Sequence, residues 1–249
     1  MNPNLKISII TVCLNADKTI EKSINSVISQ NYKFKEYIIV DGGSIDKTLS
    51  IIEKYKNQIS YFISEKDNGI YDAMNKGINK ATGDFIYFLG ADDILTDNIL
   101  SQIIPKLKSN VNAIHYGKVR LQPEGKLLGG KFNKWKLIHK NISPQAIFYP
   151  SIVFKTKRFN MNYPIAADWD FNLYLMSKKI RFKYNGLIIA VFNINGISSK
   201  GDREFYRNRK MIIKDYFGKK ELIFFITGIQ LPILILNFII TKYKKIFFS

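Results

Sequence analysis

At 249 residues, 46% hydrophobic and 14% aromatic, the chain is long enough for one substantial core plus an appendage, which excludes a disordered protein. Its 38 Lys and Arg against 20 Asp and Glu leave a net charge of +18, which favours an anionic partner: a nucleotide, an acidic lipid surface or a nucleic acid. A single cysteine, Cys13, excludes an internal disulfide, and Met1 to Lys6 has no apolar stretch after a basic start, so a cytoplasmic location is expected.

The first element is the β-branched run Lys6 to Cys13, KISIITVC, read as a strand ending at Leu14-Asn15. Asp17 then opens a helix with Ile20, Ile24, Val27 and Ile28 at helical spacing. Tyr37 to Val40 is a second strand and runs into Asp41-Gly42-Gly43-Ser44, where Ser44 is the expected N-cap of a helix carrying Leu49, Ile52 and Tyr55. Ser60 to Ser64 reads as a third strand. Ile70 to Ala81 reads as a third helix, with Gly77 allowing close approach and Gly83 as its stop. Phe85 to Leu89 is an unbroken apolar strand that stops at Gly90-Ala91-Asp92-Asp93.

Short connections and strict alternation predict a doubly wound, mostly parallel α/β sheet flanked by helices. Beyond Leu100 the pattern loosens. Ala113 to Leu121 and Ala146 to Phe154 read as strands, Ile165 to Asp170 leads into a helix continuing over Phe171 to Met176, and Ile180 to Phe192 reads as a last strand interrupted at Asn185-Gly186.

Four polar clusters fall at carboxyl ends of strands: Thr11 to Asn15, Asp41 to Ser44, Glu65 to Asn68, and Asp92-Asp93. In an open parallel sheet those ends line one crevice, so residues distant in sequence converge on one site. Asp41 is able to accept from a base imide, with Thr11 and Asn15 beside it. A diphosphate needs a cation, and Mg2+ or Mn2+ commonly takes one or two carboxylates, which Asp92-Asp93 offers. The competing structural reading is that either acid N-caps a helix starting near Thr96 or Asp97. No Gly-x-Gly-x-x-Gly follows the first strand and no P-loop signature occurs, which disfavours dinucleotide and P-loop sites. His115 and His139 lack partners at metal-ligand spacing and receive no role.

The stretches ISIITVCLN (Ile7 to Asn15), DGGSIDKT (Asp41 to Thr48), SEKDNGIYDAMNKG (Ser64 to Gly77) and ATGDFIYFLGADD (Ala81 to Asp93) resemble, in order, the family 2 glycosyltransferases of the Rossmann-related GT-A fold. The resemblance implies transfer of a sugar from a nucleotide-diphosphate donor, most commonly a UDP-sugar, to an acceptor hydroxyl with inversion, assisted by Mn2+ or Mg2+. It places Thr11, Asn15, Asp41, Asn75, Lys76 and Asp92 at the nucleotide-sugar, and Asp93 with Asp92 at the metal. The family often reads Asp-Asp-Gly-Ser where this chain has Asp41-Gly42-Gly43-Ser44, so residue 42 has no side chain to contribute. Ala166-Ala167-Asp168-Trp169-Asp170 resembles the segment carrying the family's catalytic base, with Asp168 at the matching position and Asp170 as fallback; a first-turn or capping role for both acids is the structural alternative. Gln145, preceded by Pro144 where a histidine is common, is a weaker acceptor-side candidate. The resemblance implies a catalytic domain over 1–202, with a nucleotide-binding half over 1–100 and an acceptor-side half over 101–202.

The tail, 203–249, is basic with interleaved aromatics up to Lys220, then nearly all apolar from Leu222 to Ile240. Thr227, Gln230, Asn237 and Thr241 recur on one helical stripe, Pro232 interrupts the middle, and Lys242, Lys244 and Lys245 follow. Three placements stand open: a helix lying in the interface of an acidic membrane, a span, or docking on the catalytic domain. The first makes the protein peripheral or monotopic on the inner face of the cell membrane, where a lipid-linked or glycan acceptor is at hand. Rival functions are a sugar-phosphate nucleotidyltransferase, whose Gly-rich basic signature is missing after the first strand, and a nucleic-acid-binding protein. No stacking motif of the common RNA modules appears, so no nucleic-acid partner is expected.

Overall fold

The computed structural model describes residues 4–194 and 201–228. The chain divides into two compact units, Met1–Phe205 and Tyr206–Ser249. The first contains β1 (Ile7–Cys13), α1 (Ile20–Ile28), β2 (Lys35–Asp41), α2 (Thr48–Glu53), β3 (Tyr61–Ser64), α3 (Ile70–Lys80) and β4 (Phe85–Gly90). After these come β5 (Ile94–Leu95), α4 (Ile99–Lys108), β6 (Ile114–Gln122), β7 (Leu127–Gly129), α5 (Lys134–His139), β8 (Ile147–Pro150), α6 (Ala167–Ser177) and β9 (Phe182–Asn193).

Among the described residues the strands form one sheet in the order β3-β2-β1-β4-β8-β6-β9-β5, with β7 paired to β6. The first four run parallel; β1, β2 and β4 are buried on both faces, as strands of such sheets are, and the edge strand β3 alternates half-buried and exposed. From β4 onward the sheet is mixed: β8 is antiparallel to β4 and to β6, whereas β9 runs parallel to β6. The chain leaves β1 towards β2 and β3 on one side and returns as β4 on the other, so the β1/β4 boundary is the switch point where such sheets open a crevice. Registers Cys13↔Asp41 and Val12↔Gly90 put the ends of β2, β1 and β4 level along that edge.

Helix α3 lies close against the sheet because Gly77 carries no side chain: a Cβ there would meet Ile10 Cγ2 at 2.5 Å. Gly83 serves a different purpose from the predicted helix stop. Helix α3 ends at Lys80 with Ala81 extended, and Gly83 lets the chain pass β1, its N–H donating to Ser8 Oγ at 2.8 Å. The predicted strand 146–154 is a strand only to Pro150; a 3-10 turn over Ser151–Lys155 follows, with Ser151 N donating to Asp84 O at 2.9 Å. Helix α6 is buried nearly all round, as a helix without a polar face must be. It is fixed by Phe171 stacked on Phe154 with centroids 4.8 Å apart, and by Trp169 Nε1 donating to Leu137 O at 2.7 Å.

The second unit continues α7 (Arg203–Phe217), which starts at the end of the first unit. Gly218, at φ +98°, breaks it, and 219–228 is again helical. Tyr206, Met211, Ile223 and Phe224 are exposed there. Among the described residues no helix is long and apolar enough to cross a membrane. Most of the apolar stretch 222–240, including Gln230, Pro232 and Asn237, lies outside the described residues, as do Thr241 and the lysines after it.

Candidate active site at the sheet edge

The loops after β1 and β2 are sewn together at their backbones. Asn15, at φ +50°, donates its N–H to Ser44 Oγ at 2.7 Å and accepts from Ile45 N at 2.9 Å. Ala16 N donates to Thr48 Oγ1 at 2.7 Å and Asp17 N to Asp46 Oδ2 at 3.2 Å. Ser44 is therefore not the N-cap of α2; Asp46 supplies that acceptor, taking Thr48 N at 2.9 Å.

Asp41 is fully buried and occupied by its own surroundings. It accepts from Gly43 N at 3.0 Å, Ser44 N at 2.9 Å, Ser64 Oγ at 2.7 Å and the Ser44 hydroxyl. Burial opposes its charge, but these donors outweigh burial and hold the carboxyl below the usual carboxylate range. Thr11 is buried in β1, where its hydroxyl oxygen accepts from Tyr37 Oη at 3.2 Å. The Asn75 amide is spent on the backbone of Phe159, donating to its carbonyl at 3.0 Å and accepting from its N–H at 3.1 Å. Lys76 pairs with Glu65 at 2.9 Å and Asp72 at 3.5 Å, beside the loop after β3.

Sequence reasoning placed Asp67 only within the Glu65 to Asn68 cluster and gave it no role of its own. Its carboxylate occupies the space a side chain at Gly42 would fill. Oδ1 accepts from Gly69 N at 2.9 Å, and Oδ2 lies against Gly42 just past the end of β2. The bare Gly42 was the available signal, since an empty position beside a cleft invites a neighbour to fill it.

At the end of β4, neither Asp92 nor Asp93 caps a helix: β5 intervenes, and α4 starts from Asn98. A Cβ on Gly90 would lie 2.5 Å from Asp93 Oδ2 and 3.0 Å from Asp92 Oδ1, so the two oxygens crowd one spot. Asp93 Oδ1 accepts from Asn193 N at 2.9 Å; Oδ2 is buried without a hydrogen-bond partner. Burial, then the neighbouring Asp92 charge, pushes the Asp93 carboxyl up to about 7, and burial also raises Asp92. The Gln145 amide works the other way, favouring the charged form of Asp93. An orphaned carboxylate oxygen beside a second carboxylate suits a hard divalent cation of the Mg2+ or Mn2+ kind. Among the described residues no third acidic, histidine or cysteine side chain joins them, which leaves coordination positions for phosphate oxygens and water.

Asp168 lies in the first turn of α6 and is 4% exposed. Tyr71 Oη donates to its Oδ1 at 2.6 Å and Asn141 Nδ2 to its Oδ2 at 2.6 Å. Burial raises the carboxyl to about 6 against the pull of these donors. A carboxyl so placed is a proton acceptor near neutral pH. Asp170 faces elsewhere, ion-paired to Lys157 at 2.7 Å, so the fallback is committed to a structural pair.

The segment 141–145 joins the two acidic centres, with Asn141 on Asp168 and Gln145 beside Asp93. Four residue steps reach at most about 14 Å, and the 3-10 turn at Pro144–Ala146 shortens this one. Tyr87 Oη anchors it by donating to Gln145 O at 2.9 Å. Asp92, Asp93, Gln145 and Asp168 thus share one end of the sheet with the loops of β1 and β2.

Residues 8–172 match the family described as Glycosyl transferase family 2. A PGL/p-HBAD biosynthesis glycosyltransferase of Mycobacterium bovis (strain BCG / Pasteur 1173P2) is 33% identical over 214 residues, covering 82% of this chain and 84% of that protein. An uncharacterized glycosyltransferase of Haemophilus influenzae is 28% identical over 188 residues, 66% of this chain and 58% of that one. Among solved structures, S. aureus TarS 1-349 in complex with UDP-GlcNAc superposes with a TM-score of 0.71 at 20% identity, over 84% of this chain and 65% of that chain. Mannosyltransferase PcManGT from Pyrobaculum calidifontis, in complex with GDP-Man and Mn2+, gives a TM-score of 0.61 at 15% identity, over 87% and 64%. The two solved likenesses establish a GT-A-like fold, and the family match, reaching from β1 into α6, includes both acidic centres. The protein belongs to glycosyl transferase family 2.

Proposed function

We propose that the protein is an inverting, metal-dependent glycosyltransferase that moves a hexose from a nucleotide-diphosphate donor, a UDP-sugar by preference, to an acceptor hydroxyl. The observation that carries this reading is the pairing of Asp93, with its orphaned oxygen, and Asp168, with its raised carboxyl, across the 141–145 segment. Asp92 and Asp93 would hold Mg2+ or Mn2+, which supplies charge neutralisation to the departing diphosphate. Asp168 takes the proton of the acceptor hydroxyl as that oxygen bonds to the anomeric carbon, and Gln145 sits between the two on the acceptor side. The S. aureus and Pyrobaculum neighbours, bound to UDP-GlcNAc and to GDP-Man with Mn2+, support the donor class and the cation. The test is incubation with UDP-, GDP- and dTDP-sugars and Mn2+, with proton NMR of the product. Transfer with an inverted anomeric configuration supports the reading; retention or simple hydrolysis contradicts it.

On the nucleotide side, Asn15 and Asp41 shape the loop that meets the base and ribose, with Thr11 beneath it. Asp67 offers the open acceptor, and Lys76 stands beside it. A hydrogen bond from a base to a carboxylate is worth roughly 1.5–3 kcal/mol, so Asp67→Asn is expected to weaken UDP binding about tenfold or more. Calorimetric titration with UDP checks this, and an unchanged Kd removes Asp67 from the site.

The acceptor we propose is lipid-linked, within surface-polysaccharide or glycolipid synthesis, as the Mycobacterium relative's role in PGL/p-HBAD biosynthesis suggests. The basic and apolar tail 203–249 is proposed to hold the enzyme peripherally against acidic lipid on the cytoplasmic face. In flotation with vesicles containing phosphatidylserine, the full chain is expected to rise with the lipid and a chain ending at Lys220 to stay below. Equal behaviour of the two contradicts the attachment.

A further inference from the structure

Resting on the assignment of Asp168 as base, we infer that Tyr71 is its positioning residue, a hydroxyl rotor that serves Asp168 in both protonation states. Tyr71 Oη lies 2.6 Å from Asp168 Oδ1 and 2.9 Å from the Ile165 carbonyl oxygen. A phenol has one proton to donate, so only one of these acceptors is served at a time. The ionised carboxylate takes it, because a charge-assisted hydrogen bond is the stronger. When the acceptor O–H breaks, its electron pair forms the glycosidic bond as the anomeric carbon's bond to the diphosphate oxygen breaks, that pair leaving with the nucleotide diphosphate. The hydroxyl proton forms a new O–H on Asp168. Asp168 is then neutral, and the Tyr71 proton turns to Ile165 O. Tyr71 itself stays protonated throughout, since burial and the Asp168 charge hold its phenol well above the usual value.

The second donor on Asp168 has no such freedom. Asn141 Oδ1 accepts from Ile142 N at 2.9 Å and from Asn172 Nδ2 at 3.0 Å. Asn172 Oδ1 in turn accepts from Tyr149 Oη at 2.9 Å. These bonds fix the Asn141 amide with its N–H towards Asp168. One donor is therefore rigid and the other has an alternative partner ready, which is the arrangement a group that gains and loses a proton requires.

The Ile165 carbonyl is itself held in place, because Asp202 Oδ2 accepts from Ile165 N at 2.8 Å and Ala166 N at 2.9 Å. The titratable and charged groups around Asp168 are Tyr71 from α3, Tyr149 from β8, Asp202 ahead of α7, and on its own helix Asp170, which Lys157 neutralises.

The test is the pH dependence of kcat/KM in wild type, Tyr71→Phe and Asp168→Asn. Tyr71→Phe removes a donor that favours the ionised base, so its acid limb is expected to move upward by about one to two pH units. That means roughly a five- to fiftyfold loss at pH 6, little loss at pH 8.5, and an unchanged KM for the donor sugar. A loss equal at every pH, or an unmoved limb, overturns the inference. To separate this from a loss of folding in Tyr71→Phe, carbon-13 NMR of the labelled Asp168 carboxyl follows its titration directly in the folded variant. An upward move there supports the rotor, and none overturns it. Full activity in Asp168→Asn overturns the base assignment itself, whereas an inactive Asp168→Asn with an unmoved Tyr71→Phe limb overturns only this inference.

Discussion

Replacing Asp93 by Asn is expected to lower turnover by roughly a thousandfold, the effect of losing about 4 kcal/mol of charge stabilisation on the departing diphosphate. The substitution keeps the Asn193 N–H contact if the amide oxygen takes the Oδ1 place. It puts an NH2 group where the orphaned Oδ2 stands, so the folded state survives while the anionic pair is halved. The expected readout besides turnover is binding: Mn2+ should strengthen UDP binding in the wild type and not in Asp93→Asn. Asp92→Asn should act in the same direction with a smaller effect, because Asp92 is half-buried and less dependent on a partner.

Asp168→Asn is expected to cost about 10²–10⁴-fold in kcat, the range a positioned general base supplies. In the wild type, kcat/KM should rise with pH through about 6 and level off, since Asp168 must be ionised to accept a proton. The stability effect has the opposite sign. A carboxyl whose pKa is raised on folding binds its proton more tightly in the folded state, so its contribution is best at low pH and is lost as pH rises from about 4 through about 6. The buried charge then costs up to about 3 kcal/mol above pH 6. Asp168→Asn is accordingly expected to unfold no earlier than wild type at pH 7.5 in a urea titration, while turning over far more slowly.

The half of the molecule built from β1 to β4 was readable because β1, β2 and β4 are buried almost throughout and its connections are short. Such strands leave apolar runs ending in polar clusters, as at Cys13 to Asn15 and Leu89 to Asp93. The convergence of those clusters followed from topology alone. The later half was less readable for physical reasons. Helix α4 carries Pro105 in its interior, β5 has two residues, and α6, buried on all sides, has no polar face to set a period. Site residues were hardest where their work is tertiary. The partnership of Tyr71 with Asp168 spans 97 residues, and Ser44, which looks like an N-cap, instead ties Asn15 to Asp41. Asp41 reads as a ligand-facing acid, yet four donors from its own loop and from β3 surround it.

In the proposed mechanism, holding the donor falls to Asp93 and taking the proton to Asp168. Calorimetric titration of UDP with Mn2+ into Asp93→Asn and Asp168→Asn, set beside turnover of the same samples, tests that division most directly. Both variants should be nearly inactive, with Mn2+-dependent binding lost in Asp93→Asn and kept at the wild-type Kd in Asp168→Asn. Equal binding by Asp93→Asn and wild type, or loss of binding in Asp168→Asn, would contradict it.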